Sequence, residues 1–124
     1  MIYELRSYEC MPGRLASVLQ RFERDALPLW REVGIRPVGF WTTEIGESDQ
    51  TLQYMLAWES LAEREAKWAA FAADPRWREV KRRTEIDGPL VSRIRNTLLK
   101  PALGFAPGLP AIPPSITPDT TPLT

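Results

Sequence analysis

Glu4, Arg6 and Tyr8 stand two residues apart in the opening run Tyr3-Glu-Leu-Arg-Ser-Tyr8, so on a strand all three share one face. A carboxylate, a guanidinium and a phenol on one face are costly to bury unless they pair or meet a ligand. These are the candidate catalytic residues. Arg6 is the group to hold an anionic or carbonyl oxygen, and Glu4 the group to orient it. Glu4 becomes a candidate base if desolvation raises its pKa. The bland reading is a structural Glu4–Arg6 ion pair. Tyr3, Leu5 and Ser7 occupy the opposite face, and the Tyr3/Leu5 side is the one expected to take helices.

A second group lies on the run Thr51 to Trp58, where Tyr54, Leu56 and Trp58 share a face. Tyr54 joins an apolar body to a hydrogen-bonding tip, which suits a ligand wall; simple core packing is the alternative. Trp30, Trp68 and Trp77 fall on helical stripes and read as core. Trp41 and Trp58 fall on strands and, with Tyr54, are the ligand-binding candidates. Arg93 and Arg95, taken with Lys81, Arg82 and Arg83, form either a basic patch or a solvated face, and the solvated face is the plainer reading. Cys10 has no cation close in sequence, so a reactive thiol is not expected.

The absences restrict the chemistry further. The chain has no histidine, which removes the commonest general base, the commonest metal ligand and any Ser–His or Cys–His nucleophile. No glycine-rich phosphate loop is present. No metal and no cofactor is therefore expected. Sixteen basic residues balance sixteen acidic ones, so nothing global favours nucleic acid or an anionic membrane. A single cysteine excludes an intrachain disulfide and fits a reducing compartment. No apolar run nears the roughly 20 residues of a membrane span, and the N-terminus lacks a secretory pattern, so a cytoplasmic protein is expected.

The elements that position these residues follow from periodicity and breakers. Ile2 to Cys10 reads as a strand ended by Pro12-Gly13. From Arg14, apolar residues Leu15, Val18, Leu19, Phe22, Ala26, Leu29, Trp30 and Val33 recur at helical spacing up to the natural cap Gly34. Pro28 inside that run predicts a kink or break near Asp25. Val38 to Ile45 and Thr51 to Trp58 flank a turn holding Gly46, Ser48 and Asp49, a hairpin pattern. Ser60-Leu-Ala-Glu63 is a capping box opening a helix over Leu61 to Ala72. Asp74-Pro75 then starts a shorter helix with Trp77 and Val80 on its apolar face. After Gly88-Pro89, Leu90 to Leu99 reads as the last strand.

The order β-α-β-β-α-β is that of an α+β, ferredoxin-like domain: a four-stranded antiparallel sheet with helices on one face. Phe40 and Trp41 point opposite ways, as do Met55 and Leu56, so both sheet faces carry apolar residues and a partner is expected. The domain spans residues 1–100. Residues 101–124 hold many of the prolines and almost no charge, so they read as an extended arm rather than helix or central strand, with a disordered tail as the alternative. Leu103, Phe105, Leu109 and Ile112 are the residues able to dock it.

The YELRSY opening, Pro12-Gly13, the GFWTTEIG hairpin, the SLAER helix start and the Asp74-Pro75 break together resemble the NIPSNAP family over roughly residues 1 to 105. The resemblance implies a dimeric α+β barrel, in which the sheets of two copies close on each other, and hence a homodimer. Glu4, Arg6 and Tyr8 would then face the barrel interior. NIPSNAP-like sequences often carry histidine where Tyr54 stands, so imidazole chemistry is not carried over to this chain. Some members of the wider group oxidise aromatic polyketides without metal or flavin. Two functions follow as expectations. One is a small-molecule pocket, with or without cofactor-independent chemistry on an aromatic or polyketide-like substrate. The other is a non-catalytic interaction module using the dimer and its C-terminal arm.

Overall fold

The computed structural model describes residues 1–108. Strand β1 (Ile2–Cys10) lies inside the sheet and pairs antiparallel with β3 (Thr51–Trp58) on one side and β4 (Val91–Leu99) on the other. Strand β2 (Arg36–Thr42) pairs antiparallel with β3 at the far edge, giving the order β2-β3-β1-β4. This is the expected ferredoxin-like topology. Among the described residues, the helices pack on one face.

The first helical run is continuous but changes pitch where Pro28 predicts trouble. An α-helix, α1 (Leu15–Arg21), passes through a π-helical turn (Phe22–Ala26) into α2 (Leu27–Val33). The Leu27 N–H bonds back to the Phe22 carbonyl, five residues earlier. Pro28 has no N–H to offer and its ring crowds the carbonyl of the turn before, so the wider π turn relieves both problems without ending the helix. Val18, Phe22, Ala26, Leu29 and Trp30 form its buried stripe. Gly34 closes it in the left-handed region at φ 93°, which a side chain rarely tolerates.

Helix α3 (Leu61–Ala73) starts on the capping box: Ser60 Oγ accepts from the Glu63 N–H at 3.1 Å, and the Glu63 carboxylate reaches back to the Glu59 N–H. Asp74 caps α4 (Pro75–Thr84) through the Arg76 N–H. The hairpin differs from its expected form. β2 stops at Thr42, and Ile45, expected in the strand, is 96% exposed in the connecting loop. The polar run Thr43 to Gln50 has no apolar alternation to extend the ladder.

Beyond β4, Ala102 and Phe105 close a tight turn that leaves Leu103 and Phe105 exposed. Docking of these two on their own domain is therefore not observed. The Tyr3 hydroxyl donates to the Gly108 carbonyl at 3.0 Å and ties the arm to the open sheet face. The expected docking residues Leu109 and Ile112 lie outside the described residues. Among the described residues, no helix is long and apolar enough to cross a membrane.

Candidate functional site

Alternation puts Glu4, Arg6 and Tyr8 of β1 on the same face as Tyr54, Leu56 and Trp58 of β3, because Arg6 stands opposite Tyr54 and Glu4 opposite Leu56. That face is the one the helices cover. All six residues are buried. This reverses the expected assignment, which gave the helices to Tyr3 and Leu5 and turned Glu4, Arg6 and Tyr8 toward a barrel interior. The physical reason is that α3 brings the partners the charges need. A charged pair can lie under a helix when that helix supplies the remaining hydrogen bonds.

Glu4, fully buried, shows how complete that supply is. Arg64 from the first turn of α3 grips it with both arms, Nε to Oε1 at 2.8 Å and Nη2 to Oε2 at 3.1 Å. Trp58 Nε1 donates to Oε1 at 3.1 Å, and Asn96 Nδ2 and Arg6 Nη1 each donate to Oε2 at 3.0 Å. Burial alone would push the carboxyl up. The bonds from Arg64, Asn96 and Arg6, with the Arg6 charge, outweigh it and hold the pKa at about 2. Glu4 is thus a fixed anion, and the raised pKa that a base would need is absent. The Glu4–Arg6 ion pair of the bland reading is present, as the core of a larger network.

Arg6 is pinned on several sides. Its Nε donates to the Tyr54 hydroxyl at 2.8 Å, its Nη1 to Glu4, and the guanidinium carbon lies 4.6 Å from the Trp68 ring centroid. Trp68 follows Arg64 by one helical turn, so the same face of α3 clamps Glu4 and covers Arg6. Burial opposes the Arg6 charge, but Tyr54, Tyr8 and Glu4 outweigh it, so its pKa is raised and the cation is permanent.

The tyrosine pair joins this network. The Tyr8 and Tyr54 hydroxyls lie 2.9 Å apart. Tyr54 is fully buried and accepts from Arg6, and in its bond with Tyr8 either hydroxyl can donate. Burial, first, and the neighbouring Tyr8 push the Tyr54 pKa well up, which keeps the Tyr54 hydroxyl protonated.

A cavity of about 510 Å³ lies between the sheet and the helices, within the range of ordinary small-molecule sites. Arg6 and Tyr8 line its sheet side, and Phe22, Trp30, Trp68 and Trp77 line its helix side. Trp30, Trp68 and Trp77, read as core, pack in or against the core, and each also borders the cavity. Trp41 is half exposed on the open face, and Trp58 is buried beneath the Glu4 network; neither borders the cavity. Trp41 follows Phe40, which stands opposite Tyr54, so it points away from the site. Tyr54 supports the wall from behind through Tyr8 and Arg6. Of the residues read as a solvated basic face, Lys81 and Arg93 border the cavity, whereas Arg82 pairs with Glu79 and Arg83 with Asp25.

Arg64, Asn96, Arg21 and Trp68 were not singled out for the site from sequence, although the capping box already placed Arg64 and Trp68 one turn apart on one helix. Cys10 is buried, and desolvation followed by the Glu9 charge raises its pKa, as expected of an inert thiol.

A β2-β3-β1-β4 antiparallel sheet with helices on one face and an aromatic cavity between the layers defines a ferredoxin-like α+β domain. The NIPSNAP family model matches residues 3–106. This chain belongs to the NIPSNAP family. It is 30% identical over 79 residues to human NipSnap homolog 3A, covering 64% of this chain and 31% of that protein. It thus spans about a third of the length of that relative. An uncharacterized NIPSNAP-like domain protein from Burkholderia xenovorans is 31% identical, with a TM-score of 0.73 over 94% of this chain and 95% of the other. A Nitrosomonas europaea protein named for antibiotic biosynthesis monooxygenases is 10% identical with a TM-score of 0.56 over 82% of this chain and 98% of the other, a likeness of fold alone.

Proposed function

We propose that the cavity between sheet and helices binds an aromatic or polyketide-like small molecule whose carbonyl or carboxylate oxygen is held by Arg6 and Tyr8. The observation that carries this reading is the pinned Arg6. A guanidinium fixed by Glu4, Tyr54 and Trp68 at the wall of an aromatic cavity is pre-organised for an anionic oxygen and loses little entropy on binding it. The aromatic lining favours a planar apolar body beside that oxygen.

The same arrangement supplies a cofactor-independent chemistry of limited kind. Arg6 and the Tyr8 hydroxyl stabilise negative charge on the oxygen of a bound carbonyl compound. Glu4 acts as a positioning residue, since a carboxyl held at about 2 stays ionised and keeps Arg6 in place. The protein pairs with a second copy through the open face of the sheet and works in the cytoplasm.

Naphthoic acid titrated calorimetrically tests the binding. We expect micromolar affinity, lost at least tenfold in Arg6→Ala, with circular dichroism confirming that the variant folds. Unchanged affinity in that variant overturns the assignment. The exposed Leu103 and Phe105 favour a second reading, an interaction module built on the C-terminal arm. In that case, deleting residues 109–124 abolishes capture of a partner protein and leaves the association of the two copies intact.

A further inference from the structure

The residues proposed to hold the ligand lie deep in the cavity. Arg6 and Tyr8 are each 8% exposed, and Phe22, Trp30 and Phe71 around them expose still less. The rim is open by contrast, since Lys81, Ser92, Arg93 and Ile94 line the same cavity and are exposed. An aromatic acid that meets Arg6 and Tyr8 directly needs more access than the buried floor allows, so one wall must yield.

Helix α4 is the wall with the weakest hold. Trp77, Lys81 and Glu85, spaced by four, make up its cavity side. Among the described residues of α4 only Val80 is buried, whereas the run from α1 to α2 buries Val18, Phe22, Ala26, Leu29 and Trp30. Helix α3 also buries little, but Arg64 ties it to the buried Glu4. The ties of α4 lie nearer the surface. Arg76 Nη2 meets Glu32 of α2 at 2.7 Å, and Arg83 Nη2 meets Asp25 of the π turn at 3.1 Å. Arg21 Nη1 donates to Thr84 Oγ1 at 3.3 Å and lies 3.8 Å from Glu85. Arg76, Glu32 and Arg83 are each more than half exposed, so their pairs are weak and part readily.

The two ends of α4 are held differently. At its start Asp74 caps the helix, and Trp77 packs on Phe71 with ring centroids 4.7 Å apart. Past its end the chain runs through the exposed Ile86 and through Gly88 at φ 112°, a left-handed joint, before Leu90 is buried again. We infer that α4 is a lid over this cavity, hinged at Asp74-Pro75 and latched at its C-terminal end by Arg83–Asp25 and by Arg21 on Thr84 and Glu85. The inference rests on the small-molecule reading and adds how that site is gated. Swinging the end of α4 outward carries Lys81 and Glu85 away from the β4 rim at Ser92 to Ile94 and gives a ligand its path to Arg6 and Tyr8. The lid closes as the latch contacts re-form.

Two measurements on the purified protein test this, one of them without ligand. In native-state hydrogen exchange the amides from Val80 to Thr84 should share one opening equilibrium and exchange at least a hundredfold faster than those of β1. Exchange at the β1 rate means that α4 leaves only with global unfolding and overturns the lid whatever the cavity binds. Separate equilibria that decline along the helix mean end fraying and overturn it too. In stopped flow, naphthoic acid binding is followed through tryptophan fluorescence. Arg83→Ala removes a cation, so electrostatic steering alone would slow the capture of this anion. Loss of the latch should instead speed association about threefold. Arg82→Ala removes an equal charge whose partner, Glu79, lies in α4 itself, and should not speed it. Association in Arg83→Ala no faster than in wild type overturns the lid, while affinity that still depends on Arg6 keeps the small-molecule reading standing. If the wild type binds no naphthoic acid although α4 opens locally, that reading falls and the gate falls with it.

Discussion

The two faces of the sheet use the same alternation to opposite ends. The helix-covered face buries a carboxylate, a guanidinium and two phenols, whereas the open face keeps Leu5 and Met55 half-buried and Trp41 half exposed. The concavity on the open face, about 740 Å³, is lined by Ser7, Glu9, Ser48, Thr51, Gln53 and Arg95 among others and, among the described residues, by no aromatic one. The helix-side cavity is lined largely by aromatic rings around Arg6 and Arg21. Hydrophobicity alone would have assigned these faces the other way round. What decides is satisfaction: a charge with every lone pair bonded is cheap to bury, and an apolar surface without a cover stays outside. The open face has its own polar order, in which Glu9 accepts from Ser48 and Thr51 across the strands. Its Tyr3 holds the arm.

The sharpest way to break this contrast is Glu4→Gln. Removing one member of a buried ionic network leaves the cation uncompensated, so we expect a loss of about 3–5 kcal/mol in denaturant unfolding. A loss under about 1 kcal/mol would mean that Arg6 is solvated and the network incidental.

Acid titration reads the same network with a defined sign. The folded pKa of Glu4, about 2, lies below its ordinary 4.5, so its ionised form favours the folded state. That contribution, about 3 kcal/mol, is whole above the unfolded pKa and drains away as pH falls from there toward the folded one. Wild type should lose stability across that window, and Glu4→Gln should lack this part of the slope.

The faces are also separable by ligand. Trp68→Ala should weaken naphthoic acid binding about tenfold, because Arg6 loses the ring that holds it. Trp41→Ala should leave that affinity unchanged and alter self-association instead, measured by sedimentation. A Trp41 variant that loses ligand would return the site to the open face.

The smallest effect belongs to Tyr3→Phe, which removes the bond to Gly108. We expect a cost of about 1 kcal/mol or less, together with faster protease cleavage of the C-terminal arm and unaltered ligand affinity.

Much of this was legible from the residues alone. Strand β1 was delimited by its β-favouring residues and by Pro12-Gly13, and α3 by Ser60 and Glu63, because caps and breakers act within a few residues of themselves. The Pro28 disturbance was foreseen as a kink or break; that it would be absorbed as a π turn was not, since the choice depends on what the helix packs against. The first hairpin strand begins at Arg36 rather than Val38 and ends at Thr42 rather than Ile45, because Ile45 is apolar but has nothing to pack on. The network partners were the least legible. Arg64 is 60 residues from Glu4 and Asn96 is 92, and no local pattern links them.

The order of elements, their caps and which side chains share a strand face follow from the residues, because helical and strand periods and turn chemistry are local properties of the chain. Periodicity grouped Glu4 with Arg6 and Tyr8, and Tyr54 with Trp58, and it did so correctly. Which of the two faces goes under the helices was decided only by the tertiary structure. Alternation is symmetric under exchange of faces, and both faces here carry apolar residues. The symmetry is broken when α3 lays Arg64 over Glu4 and Trp68 over Arg6, a match of charge and ring that exists only once the chain has folded.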